Sequence, residues 1–155
     1  MADASLQMAL DAVRGKLLKT LDGVTERQAR WAPAGLTNTI LWHAGHSYVV
    51  VEHLVQRAAG GVPVVPDGWF EVFSWESRPA NVAPGSWPSL AEVVGALKDQ
   101  HLRLKGVIAG FDPARLDSEV QQSTPRALIF HGLLDEARHT GEVLLLGKLQ
   151  RHTHN

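Results

Sequence analysis

The sequence predicts an all-α protein: an up-and-down four-helix bundle with one long crossover loop between its second and third helices. Four stretches of about 17 to 26 residues carry apolar side chains at three- and four-residue steps, the pattern of a helix with one inward face. Capping residues, glycines and prolines punctuate their ends. No stretch alternates convincingly like a strand and no segment repeats, which leaves a bundle. With 155 residues, the chain 1–155 is read as one domain, large enough to bury a single core.

The first helix runs from Ser5 to Leu21, where Leu6, Leu10, Val13, Leu17 and Leu21 form one stripe and Asp22-Gly23 supplies the stop. A short helical turn follows, with Thr25 as N-cap and Gln28 in the capping-box position, and Trp31-Ala32-Pro33-Ala34-Gly35 breaks it. The second long helix begins near Thr37 or Asn38 and reaches Ala59 before Gly60-Gly61. Val49-Val50-Val51 lowers helix propensity within it, yet length and end signals favour helix over strand. Residues 60–88 hold five of the eight prolines and three of the five tryptophans. A connection this long in a compact domain is often functional, and its aromatics predict a crossover or lid wrapped over the bundle. Ser89 caps the third helix, in which Leu90, Val93, Val94, Leu97, His101, Leu104 and Ile108 keep helical spacing up to Gly110. Asp112-Pro113 starts the next connection. Thr124-Pro125, an N-cap followed by proline at the first helical position, opens a last helix ending near Gln150.

Composition removes several function classes. Net charge is −1 and the pI is near 6.7, so the basic footprint of a nucleic-acid binder is missing. The absence of cysteine excludes disulfide scaffolds, thiolate zinc sites and cysteine nucleophiles. Any metal would have imidazole and carboxylate ligands. Met1-Ala2-Asp3-Ala4-Ser5 lacks the basic-then-apolar layout of a signal peptide, and no apolar run approaches the ~20 residues of a membrane span. A cytoplasmic protein with neither nucleic-acid nor membrane partners is expected. There is no Gly-x-Ser-x-Gly elbow and no phosphate-cradling glycine loop.

The last helix breaks the apolar pattern. Its stripe reads Leu128, His131, Asp135, His139, Glu142, Leu146 and Leu149, flanked by apolar Phe130, Leu133, Leu134, Ala137, Leu144 and Leu145. Residues four apart differ by about 40° around the axis, so His131, Asp135 and His139 project together. Burying such groups without partners costs several kcal/mol each; a divalent metal would compensate, since imidazole and carboxylate are its usual donors. The second helix offers a complementary set, with His43 and His46 three apart and His53 one heptad beyond His46. Three ligands from two helices would leave coordination positions open, as catalytic rather than structural sites do.

Three pieces of this pattern resemble the DinB/YfiT-like superfamily of metal-binding four-helix bundles. Asn38-Thr39-Ile40-Leu41-Trp42-His43-Ala44-Gly45-His46 is similar to the family's Asn-x-x-x-Trp-His-x-Gly-His; Thr124-Pro125 precedes Phe130-His131; and Asp135-Glu136-Ala137-Arg138-His139-Thr140-Gly141-Glu142 is similar to His-Glu-x-x-His-x-Gly-Gln. The resemblance implies metal ligation by His46 and His139, with Asp135 at the third position. Many relatives carry histidine there, and those resembling mycothiol-dependent maleylpyruvate isomerase carry glutamate. Aspartate is a hard donor but one methylene shorter than glutamate, so a metal must sit closer to the last helix or be lost. Glu142 stands where glutamine is usual.

The resemblance implies a divalent transition metal, zinc or nickel, and a metal-dependent enzyme. That enzyme would be a thiol-dependent S-transferase using a low-molecular-weight thiol, or a hydrolase of a small-molecule substrate. The competing reading is a non-catalytic, dimeric small-molecule-binding or stress-associated protein with a metal-free site. A homodimer is expected under both. His43, His101 and Glu142 are the catalytic candidates, as acid/base groups or as partners orienting the ligands. His101, between Leu97 and Leu104, also reads as a hydrogen-bonded core histidine. His131 is placed at the rim and His53 at the surface or an interface, while His152 and His154 carry no ligand role.

Overall fold

The computed structural model describes residues 4–153; the N-terminal Met1, Ala2 and Asp3 and the C-terminal His154 and Asn155 lie outside the described residues. In chain order the helices are α1 (Ala4–Leu21), the short α2 (Glu26–Ala29), α3 (Ile40–Ala59), the short α4 (Trp69–Phe73), α5 (Leu90–Ala109) and α6 (Pro125–Thr153). No strand occurs among the described residues, and the single bridge pairs Val120 with Ser123. The helix ends follow their sequence signals. Thr25 with Gln28 and Ser89 with Glu92 form capping boxes, and the Thr124 hydroxyl accepts from the Ala127 amide. α3 starts slightly later than expected: Thr39, not Thr37 or Asn38, accepts from the Trp42 amide. Gly60 ends α3 with φ of 70°, a left-handed position that glycine adopts without strain.

Each of α1 and α3 packs against both α5 and α6, with α3 and α6 sharing the widest interface. Pairings give the directions. His43 meets His139 while Arg57 meets Gln121, so α3 and α6 are antiparallel. Leu90, Val93 and Leu97 share one apolar cluster with Leu41, Ala44 and Tyr48, whereas Leu104 and Ile108 share the other with Val51 and Val55, so α3 and α5 are parallel. The helices therefore run up, down, down, up. Parallel neighbours need a connection that climbs back along the bundle, about 30 Å for a 20-residue helix. Residues 60–89 make that climb, and so the crossover is long. No helix among the described residues is long and apolar enough to cross a membrane.

The two apolar clusters are separated by a layer of buried polar groups. Arg14 of α1 donates to both carboxylate oxygens of Glu136 at 2.8 and 2.9 Å, to the Leu97 carbonyl at 2.7 Å and to Gln100 Oε1 at 2.8 Å. Gln100 Nε2 donates in turn to Glu52, whose carboxylate also pairs with Arg103. Arg14, Glu52 and Glu136 have no solvent exposure, and every charge in the layer has a partner. This corrects the expected inner face of α6. Its buried arc runs through Ile129, Leu133, Glu136, His139, Thr140 and Val143, while Phe130, Leu134, Leu144 and Leu145 are exposed. The cause is that α6 packs against α1 on one side and α3 on another, so its buried arc is not centred on the titratable stripe.

Candidate metal centre

Three acceptor atoms converge where α3 meets α6. Asp135 Oδ2 lies 3.5 Å from His46 Nε2 and 3.5 Å from His139 Nε2, and one ligand atom from each residue lies within 4.8 Å of the others. Donors held 2.0–2.2 Å from one tetrahedral ion sit about 3.4 Å apart, so the spacing fits a single metal. The short aspartate side chain reaches. At 3.5 Å these contacts are too long for good hydrogen bonds, and Asp135 Oδ2 and His139 Nε2 are buried without any partner. Buried polar atoms are otherwise almost always satisfied, and two imidazole nitrogens with one carboxylate oxygen form a donor set that fits a divalent cation.

The surrounding groups fix which nitrogen each imidazole presents. His46 Nδ1 donates to the Phe73 carbonyl at 2.7 Å, leaving Nε2 as the lone-pair atom that faces Asp135. Phe73 comes this close because residue 45 is glycine: a Cβ there would stand 2.4 Å from the Phe73 ring. His139 Nδ1 lies 2.7 Å from His43 Nδ1; with Nε2 offered to a metal, His139 Nδ1 carries the hydrogen and His43 accepts it. Trp42 supports all three rings, stacked on His46 with centroids 4.5 Å apart and edge-on to His43 and His139. Its indole N–H donates to Ser77 of the crossover. Such outer partners set tautomer and orientation at metal sites.

Electrostatics keep the donors in their metal-binding forms. Burial, reinforced by the His139 and His46 imidazoles, lowers His43 to about 3. Burial, with His46 next in weight, lowers His139 to about 4, against the opposing pull of Asp135. Both rings are neutral at pH 7 and hold a lone pair. Burial alone would raise the Asp135 carboxyl, but the His46 and His139 imidazoles and the Arg138 guanidinium outweigh it and hold it below the usual range. Asp135 Oδ1 accepts from Arg138 at 2.6 Å, so the carboxylate divides its oxygens between a surface arginine and the buried cluster.

The structure thus brings His46, Asp135 and His139 together, with His43 behind them. It does not bring in His101 or Glu142. His101 lies on the seam between α1 and α5, where its Nε2 is 2.7 Å from Asp11, itself bound by Lys105. Glu142 is exposed on α6 because the buried arc turns away from it. His131 is exposed at the pocket rim, as expected. His53 departs from its surface reading: it is half-buried, packed on Phe70 and Trp75, and lines the pocket beside the cluster. Its Nδ1 donates to the Val49 carbonyl at 2.9 Å, leaving Nε2 as an acceptor. Sequence reasoning also missed the Phe73 carbonyl, a backbone group without a side-chain signal, and the cations Arg57 and Arg138.

Two cavities open from the cluster. One, of about 650 Å³, is lined by His46 and Asp135 and continues past Val50, Leu54 and Trp75. The other, of about 530 Å³, is lined by His46 and His139 and by polar groups that include Asn38, Ser77 and Arg78. Trp75 and Arg138 belong to both.

Comparison with known proteins agrees with this architecture. The family model of the DinB superfamily matches residues 9–143. A crystal structure described as a conserved protein from Enterococcus faecalis superimposes with a TM-score of 0.77 at 16% identity, covering 94% of this chain and 95% of that one. At that identity the likeness concerns the fold alone. No curated protein sequence matches the chain.

Proposed function

The chain belongs to the DinB superfamily, and on that premise we propose that it is a metal-dependent enzyme holding one divalent transition metal, zinc or nickel. His46 Nε2, Asp135 Oδ2 and His139 Nε2 would be the ligands. The observation that carries the reading is the pair of unpartnered buried atoms, Asp135 Oδ2 and His139 Nε2, beside a third imidazole nitrogen. A bound ion would act as a Lewis acid that lowers the pKa of a coordinated thiol or water. The reaction class is thiol-dependent S-transfer with a low-molecular-weight thiol, or hydrolysis of a small substrate.

The chain's own residues support such chemistry in separate ways. His43 holds the Nδ1 hydrogen of His139, and the Phe73 carbonyl holds that of His46, so both rings aim Nε2 at one point. Trp42 covers the rings and excludes water from one side. His53 presents Nε2 to the larger cavity and is the group we assign to accept a substrate proton there. The reading includes a cytoplasmic homodimer. Exposed Phe130, Leu134 and Leu144, with Ala137 and Gly141 between them, keep the alternating three- and four-residue spacing of a helix seam.

Elemental analysis of protein purified without a metal-affinity tag tests the core of the proposal. One zinc or nickel per chain, lost in His46→Ala, is expected. Added metal at 100 times Kd should stabilise the fold by about 2.7 kcal/mol. A site that stays empty, with unchanged thermal stability on adding either metal, would sink it and leave the non-catalytic binding protein. Transfer of thiols to electrophilic substrates then separates the two reaction classes.

A further inference from the structure

The larger cavity is a trough with chemically different ends. It starts at His46 and Asp135 and runs along one face of α3 through Val50 and Leu54 to Arg57. His46 and Arg57 are 11 residues apart, three helical turns on the same face and about 16 Å along the axis. Pro63 and Trp75 of the crossover complete an apolar middle. Among the described residues the only carboxylate lining the trough is Asp135, already paired with Arg138. Arg57 at the far end has no carboxylate partner among the described residues; its one hydrogen bond goes to the Gln121 carbonyl at 2.9 Å. His53 and His131, the other titratable liners, never carry negative charge.

The segment meeting Arg57 is itself unusual. Gln121 and Gln122 have φ of 48° and 65°, and the Val120–Ser123 bridge closes a tight turn around them. Left-handed backbone costs a non-glycine residue about 1–3 kcal/mol and persists where the surroundings enforce it, often at ligand sites. Here the strained turn contributes Gln121 to the trough wall and holds the Arg57 guanidinium.

We propose that the trough binds an elongated amphipathic carboxylate whose acid group pairs with Arg57 and whose other end reaches the metal centre. Arg57 is then the residue that selects for the acid. The donor end rests on the metal reading above; the selection by Arg57 does not.

Calorimetry with two ligands of equal length tests this on zinc-loaded protein. 8-Mercaptooctanoate should bind about tenfold tighter than 8-mercapto-1-octanol, as a charge-assisted pair implies. In Arg57→Gln the two should bind within about twofold of each other, with affinity for the alcohol and zinc content unchanged. Arg57 is exposed, so the variant should fold normally, which circular dichroism checks. Equal binding of acid and alcohol by the parent, or a preference that survives Arg57→Gln, overturns the proposal. If the protein takes up no zinc, octanoate against octanol on the metal-free protein reads the Arg57 preference alone. That preference persisting there would uphold the selection by Arg57 while the metal reading fails.

Discussion

Asp135 and Glu136 are consecutive carboxylates on α6, both in the protein interior, and they have opposite fates. Glu136 faces α1, where Arg14 meets both its oxygens, and two of the arginine's other three N–H groups go to the Leu97 carbonyl and Gln100. Asp135 faces α3, where one oxygen is taken by Arg138 and the other has no partner. Turning 100° around one helix changes a closed polar layer into an open set of donors. The closed layer pairs every charge it contains and works for the fold. The open one costs stability in the free protein, and such local conflicts are what functional sites retain.

If that division is right, the two regions respond differently to substitution. The largest effect belongs to the closed layer: Arg14→Ala strands a buried carboxylate and should cost about 3–5 kcal/mol in chemical denaturation. The double variant Arg14→Met/Glu136→Leu should recover most of that loss; no recovery would mean the pair is more than a matched charge. Gly45→Ala should cost about 1–3 kcal/mol by pushing Phe73 off α3 and weaken zinc affinity about 10- to 100-fold through the His46 hydrogen bond. Zinc titration reads both, and an unchanged affinity would separate Phe73 from the centre.

Acid should act first on the open cluster. His43 at about 3 and His139 at about 4 lie below the 6.5 of the unfolded chain. The folded protein therefore binds fewer protons between these values, and their stability is complete above pH 6.5 and drains as pH falls toward 4 and 3. From pH 7 to pH 5, before most carboxylates titrate, denaturation should show a loss of about 2 kcal/mol for each of the two imidazoles. A flat profile would contradict the buried neutral imidazoles. The smallest effect is Asp135→Leu. It removes an unpartnered oxygen and an ion pair to the exposed Arg138, so metal-free stability should hold or rise by about 1 kcal/mol. The metal-induced rise in melting temperature should vanish. A large destabilisation would show Asp135 to be structural.

Much of the fold was legible because end signals are local. Thr25, Ser89 and Thr124 act as caps wherever the helix goes next, and the prolines of 60–88 announce the crossover. Helix direction was not legible, because periodicity reports a face and not a neighbour; the parallel α3 and α5 depend on how far the crossover travels. His46, Asp135 and His139 stood out as titratable groups amid apolar ones. His101 gave the same signal, but its partner Asp11 on α1 took it elsewhere. Glu136 was overlooked because its arginine is 122 residues away, and the Phe73 carbonyl because only coordinates reveal which backbone oxygen faces an imidazole.

His43 and His139 touch although 96 residues separate them in the chain, and Asp135 and His139 both lie on α6, which follows the other three long helices in the chain. A nascent polypeptide carrying only the first three long helices offers a metal His43 and His46 without their counterparts on α6. Any metal held by this cluster would therefore load only after α6 has been made and docked, and a shorter nascent chain would offer it an incomplete donor set.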